Sequence, residues 1–174
     1  MGQYGAMIAD AASVGLRYAT RLTTDIPATR FARLAAPAGR VVQANHPAFS
    51  LGHLCLYPVR VQQLLGFDTS DTRPPEGYEK LFSKEATCQD DPAGSIYPSS
   101  AELLPFFERS YQAALLALRE VNDEQLLAAN PVQTPLQSVC PTLGAILTFY
   151  VSGHVTTHLG QVSTWRRMEG MPPA

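Results

Sequence analysis

Apolar residues along the chain recur at three- and four-residue steps, the spacing of one helix face, and nowhere sustain the strict alternation of a half-buried strand. Ile8, Ala11, Gly15, Tyr18, Leu22 and Ile26 form the first stripe and predict a helix over residues 4–24. Pro27 ends or restarts it, with Asp25 placed to cap a short second turn, and residues 37–40 read as a loop. A second helix is predicted to start at Asn45 as N-cap, with Pro47 in its first turn, and to run through Leu54 and Leu65 to Gly66. Pro58 removes a backbone donor within that span and clashes with the preceding turn. The helix should therefore kink near residues 54–57 or split into two abutting helices.

From residue 67 to residue 98 no period is sustained, and six Pro and Gly residues punctuate what is predicted to be the longest irregular segment. Ser99 and Glu102 then form a capping box, and Phe107, Tyr111, Ala114, Leu118 and Val121 give the next helix its apolar stripe. Pro105, near its start, is expected to bend it slightly. A short acidic segment follows Asn122, and residues 130–141 make a Pro-punctuated connection. In the final helix Thr142 is the cap, and Leu143, Leu147, Tyr150, Val151, His154, His158, Gln161 and Trp165 share a face. Arg166 and Arg167 occupy its last turn before Gly170, and Pro172 and Pro173 prevent continuation. With no repeat and no strand pattern, the economical architecture is one all-α domain over residues 1–174, built as a bundle with four main helices.

Composition narrows the function classes. Apolar content of 45% with 16% charged residues disfavours disorder, and a chain of 174 residues buries about two-thirds of its unfolded surface. Thirteen basic residues against fifteen acidic ones give a net charge of -2, with no basic cluster beyond Arg166 and Arg167, which excludes nucleic acid as the expected partner. Cys55, Cys88 and Cys140 form no C-x-x-C pair and leave one thiol over in any disulfide scheme, as in a reducing compartment. The first ten residues lack a basic stretch followed by an apolar run, and Ala6 stands where myristoylation needs Ser or Thr. A cytoplasmic protein is expected. Residues 125–165 contain no Asp, Glu, Lys or Arg, but Thr, Ser, Gln, Gly and two His interrupt the apolar run. A helix buried in protein is expected there, not a membrane span. Its polar yet uncharged outer face also suits a homodimer interface.

The candidate chemistry lies in histidines. His154 and His158, four apart on a helix, project from one face and can reach a common ion, although two core histidines satisfied by hydrogen bonds would have the same spacing. Their place in an apolar stripe favours the ion, because a buried imidazole needs partners for both nitrogens. His53 is the third candidate ligand, on a helix face shared with Phe49, Leu56, Tyr57 and Leu64, with Gly52 beside it allowing close approach of a neighbour. His46, at the helix start, is expected to cap or face solvent and is given no metal role. Gln161 either bonds a ligand's second nitrogen or metal-bound water, or is an ordinary polar residue at a helix interface. Tyr150 and Trp165 are expected in the core. Arg60 reads as a snorkelling side chain, with an anion-holding role at the pocket as the alternative. Nothing near Cys88 in sequence lowers its pKa.

The segments Asn45-His-Pro-Ala-Phe-Ser-Leu-Gly-His53, Tyr97-Pro-Ser-Ser-Ala-Glu-Leu-Leu104 and Gly153-His-Val-Thr-Thr-His-Leu-Gly-Gln161 resemble, in order and spacing, the DinB-like superfamily. The likeness covers most of the chain, and H-x-x-x-H-x-G-Q is its most specific part. The resemblance implies an up-down-down-up four-helix bundle, often dimeric, with a three-histidine metal site, and a family that includes thiol-dependent S-transferases. Its ligands fall on His53, His154 and His158. Three imidazoles suit zinc or nickel first, and also iron. An ion with an open position activates a low-molecular-weight thiol for attack on a small electrophilic substrate. Two alternatives share the ion: hydrolysis by metal-activated water, and a non-catalytic metal-binding or stress-associated role.

Overall fold

Nearly every apolar stripe in the chain becomes a helix, and the computed structural model, which describes residues 2–174, contains no strand among them. The elements are α1 (Gln3–Thr23), α2 (Pro47–Leu54), α3 (Pro58–Leu65), α4 (Tyr78–Phe82), α5 (Ser100–Glu120), α6 (Asp123–Leu127), α7 (Leu143–Thr148) and α8 (His154–Met168). A π-helical turn, Phe149–Gly153, joins α7 to α8 without a break. No helix is long and apolar enough to cross a membrane among the described residues.

Contacts fix the relative directions. The Gly2 N–H bonds the Val121 carbonyl at 2.8 Å at one end, while Thr23, Thr24 and Ile26 share a cavity wall with Ser100 and Leu104 at the other, so α1 runs antiparallel to α5. Tyr18 bonds Ser163 at 3.3 Å while Leu22 lies by Arg166, so α1 and α8 run parallel. Ser50 reaches Gln161 while His53 meets His154, so α2 and α8 are antiparallel. Tyr111 donates to the Leu54 carbonyl at 3.2 Å, and Gln125, beyond the end of α5, donates to Leu65 at 3.3 Å, which sets α2 and α3 parallel to α5.

The stripe expected on α1 needs correction. Ala11 is exposed, and the buried set includes Gly5, Ala9, Ala12, Ala19 and Leu22. The helix buries two adjacent faces. Small residues meet α5, where a Cβ at Gly5 would sit 1.9 Å from the Leu118 carbonyl oxygen, while Gly15 and Tyr18 meet α8. The second predicted helix is two abutting helices, divided at Pro58 and closed by Gly66 at φ 80. Its N-cap is His46, not Asn45: the His46 Nδ1 accepts from the Phe49 N–H at 3.1 Å. The 67–98 segment is not wholly irregular, because α4 forms within it and buries Tyr78 and Phe82. The capping box of α5 is present, with Glu102 accepting from the Ser99 N–H at 2.9 Å. Its whole predicted stripe is buried.

Candidate metal centre

Each histidine arrives by a different local device. On α2, Gly52 lets the helix lie against α4 so closely that a Cβ there would fall 2.4 Å from the Phe82 ring, and that approach carries the Phe82 carbonyl to His53. His53 Nδ1 donates to this oxygen at 2.6 Å. On α8, one helical turn separates His154 from His158, and His158 Nδ1 donates to Gln161 Oε1 at 3.0 Å. Gln161 is itself held by Asn45 Nδ2 at 3.1 Å and Ser50 Oγ at 3.3 Å. The π turn ends at His154 and resets the helical register there, so that the two imidazoles face α2 while Val155, Leu159 and Val162 take the core.

Carbonyl oxygens only accept, so Nδ1 carries the hydrogen in His53 and His158, and Nε2 keeps its lone pair. Those lone pairs converge. His53 Nε2 lies 3.3 Å from His154 Nε2, which lies 3.0 Å from His158 Nε2. One ligand atom from each residue falls within 4.8 Å of the others, a grouping close enough to hold a metal ion. His154 Nδ1 is buried without a partner. A divalent cation placed among the three Nε2 atoms would satisfy them together, and the Phe82 and Gln161 oxygens are the outer-shell acceptors that ligating imidazoles ordinarily use. The donor set therefore fits a zinc-like ion.

Electrostatics agree with ligation by neutral rings. Burial, then the charges of His158, His53 and Arg60, push His154 down to about 3. Burial, followed by His53, pushes His158 down to about 4, and burial lowers His53 as well. Protonation, which would block metal binding, is thus opposed at neutral pH.

Around the triad, the Tyr57 ring stands 4.2 Å from that of His154, and Arg60 lies 4.8 Å over Tyr57 while pairing with Glu79 at 3.7 Å. Arg60 is thus half-exposed beside the site. The ligand-bonding alternative for Gln161 is the observed one. Trp165 and Tyr150 are buried as expected. His46 is fully buried, not solvent-facing, with Nε2 bonded to the Gln89 carbonyl at 2.9 Å. All three cysteines are free, and burial pushes the Cys88 thiol up to about 11. Sequence reasoning missed the Phe82 carbonyl, which no side chain announces. It placed Tyr57 on the His53 face without a role, although the four-residue spacing was the available signal.

Two cavities flank these elements. One of about 720 Å³ lies between α1 and α5, lined by Leu16, Arg17, Phe107 and Leu116, and includes none of the histidines. Another, of about 510 Å³, is bounded by Asn45, Thr157, Gln161 and Met168 and so adjoins the triad through Gln161. Comparison with protein-family models and with curated proteins gives no match to the chain.

Proposed function

We propose that the protein is a DinB-like, metal-dependent thiol S-transferase whose ion is held by His53, His154 and His158. The observation that carries this reading is the convergence of three Nε2 atoms, two of them in rings whose Nδ1 is bonded to an oxygen. An up-down-down-up four-helix bundle belongs to the same proposal, supported by the helix directions of α1, α2–α3, α5 and α7–α8. So does a homodimer that buries part of the uncharged outer face of α8, supported by exposed Thr156, Thr157, Gly160 and Thr164.

A zinc or nickel ion held by His53, His154 and His158 would supply Lewis acidity that favours the thiolate form of a low-molecular-weight thiol. The chain supplies the rest. Phe82 and Gln161 hold two of the ligand rings in the tautomer that presents Nε2. Arg60, half-exposed beside Tyr57, offers a cation to an anionic substrate group. The thiol sulfur would bond to the electrophilic carbon as that carbon's bond to its leaving group breaks, the leaving group departing with the electron pair and the thiol proton passing to solvent.

The test is a thiol panel run on metal-loaded protein. No electrophile should turn over until thiol is added, after which a thioether or thioester adduct appears by mass spectrometry, and His154→Ala should abolish its formation. Thiol-independent hydrolysis of esters or amides would replace the transferase with a hydrolase. Inactivity in both panels with the ion retained would leave a metal-binding protein.

A further inference from the structure

Three imidazoles leave a tetrahedral ion one vertex short, and the side chain nearest in chemistry to filling it is a tyrosine. A tetrahedral ion about 2.0–2.1 Å from each donor sets those donors roughly 3.3–3.4 Å apart. The Nε2 separations of 3.3 and 3.0 Å are close to that edge. The Tyr57 hydroxyl lies 3.4 Å from His53 Nε2, the same edge again.

That distance is too long for a good O–H···N hydrogen bond, and the hydroxyl has no other partner among the described residues. The phenol is positioned firmly nonetheless. Tyr57 follows His53 by one helical turn, its ring packs against those of His154 at 4.2 Å and Tyr150 at 5.2 Å, and the Arg60 guanidinium sits 4.8 Å over it. Glu79, an acidic alternative, is engaged with Arg60. We propose that Tyr57 is a fourth protein ligand, its phenolic oxygen completing the coordination of the ion held by His53, His154 and His158.

This rests on the metal-site reading and deepens it. Coordination exchanges the phenol proton for the ion, and that proton leaves to solvent. A thiol that takes the same vertex would lose its proton to solvent while the displaced Tyr57 oxygen regains one from solvent, so the exchange is balanced and Tyr57 would occupy the vertex until the thiol arrives.

Copper(II), the tightest-binding divalent ion of the first-row series, is the probe. The wild-type chain should bind one copper and develop a visible phenolate-to-copper charge-transfer band, with tyrosinate modes in its resonance Raman spectrum. Tyr57→Phe, which keeps the ring and its packing, should still bind one copper, about tenfold or more weakly, with band and modes gone. Copper bound to wild type without the band overturns the proposal while the three-histidine site stands. A band that survives in Tyr57→Phe overturns it equally, since the phenolate would then be another tyrosine. Failure of wild type to bind any ion removes the site and the proposal together.

Discussion

Helix α8 carries two groups of buried polar atoms about two turns apart, and they differ in completeness. Arg166, 2% exposed, has both terminal guanidinium nitrogens bonded from outside: Leu22 and Pro172 carbonyls each accept at 2.9 Å, and the Asp25 carboxylate takes two further contacts. Only its Nε lacks a partner. The histidine cluster is the reverse case. Its outer nitrogens are bonded in two rings of three, no carboxylate is among its partners, and its inner nitrogens face one another. Burial alone therefore marks no function. A polar cluster bonded outward to several segments fastens them together, here α1, α8 and the C-terminus, whereas a cluster whose nitrogens share a focus invites a cation. His46 and His53 repeat the contrast on α2, since both His46 nitrogens are satisfied by the protein itself.

The largest effect should come from removing a focal nitrogen. His158→Ala is expected to weaken binding by about 3 kcal/mol or more, over a hundredfold, so that equilibrium dialysis finds almost no ion retained. Full metal stoichiometry in the separate Ala variants of His53, His154 and His158 would erase the contrast. Arg166→Ala tests the outward-bonded cluster. It leaves the Leu22 and Pro172 carbonyls without their donor, and should lower stability in denaturant melts, with metal stoichiometry unchanged in the folded protein. Loss of the ion with preserved stability would invert the assignment.

The smallest effect is a difference in acid sensitivity of metal-free protein. Burial depresses the triad histidines, so as pH falls from about 6.5 toward 4 the unfolded chain takes up protons that the fold refuses, and stability declines. Asp25 is held below its usual range by hydrogen bonding to Arg166, so its contribution persists above about pH 4 and is lost only on further acidification. Replacing His154 by Leu should flatten the first window and leave the second. An unchanged slope between pH 6.5 and 4 would show that the triad histidines titrate normally.

Which features were legible followed from how many partners a residue has. The α5 stripe and its capping box could be read directly, because the helix buries one broad face and Ser99 and Glu102 act locally. The stripe of α1 was misplaced because that helix serves two neighbours, and small residues that carry little hydrophobic signal make the closer contact. Five residues are too few to display a period, which concealed α4. Either Asn45 or His46 suits an N-cap by chemistry. His46 takes it because Asn45 is engaged by Gln161, more than a hundred residues away.

By itself the sequence determined the helical class, the break at Pro58 and the three histidines to watch, since each depends on periodicity, on one proline's missing donor, or on four-residue spacing. Only the tertiary structure decided that His53 meets the α8 pair, that Phe82 and Gln161 orient the rings, and that Tyr57 stands beside them. The physical reason is that local pattern sets which face a side chain occupies. What stands opposite that face depends on helices packed from distant parts of the chain, and there a backbone carbonyl counts for as much as a side chain.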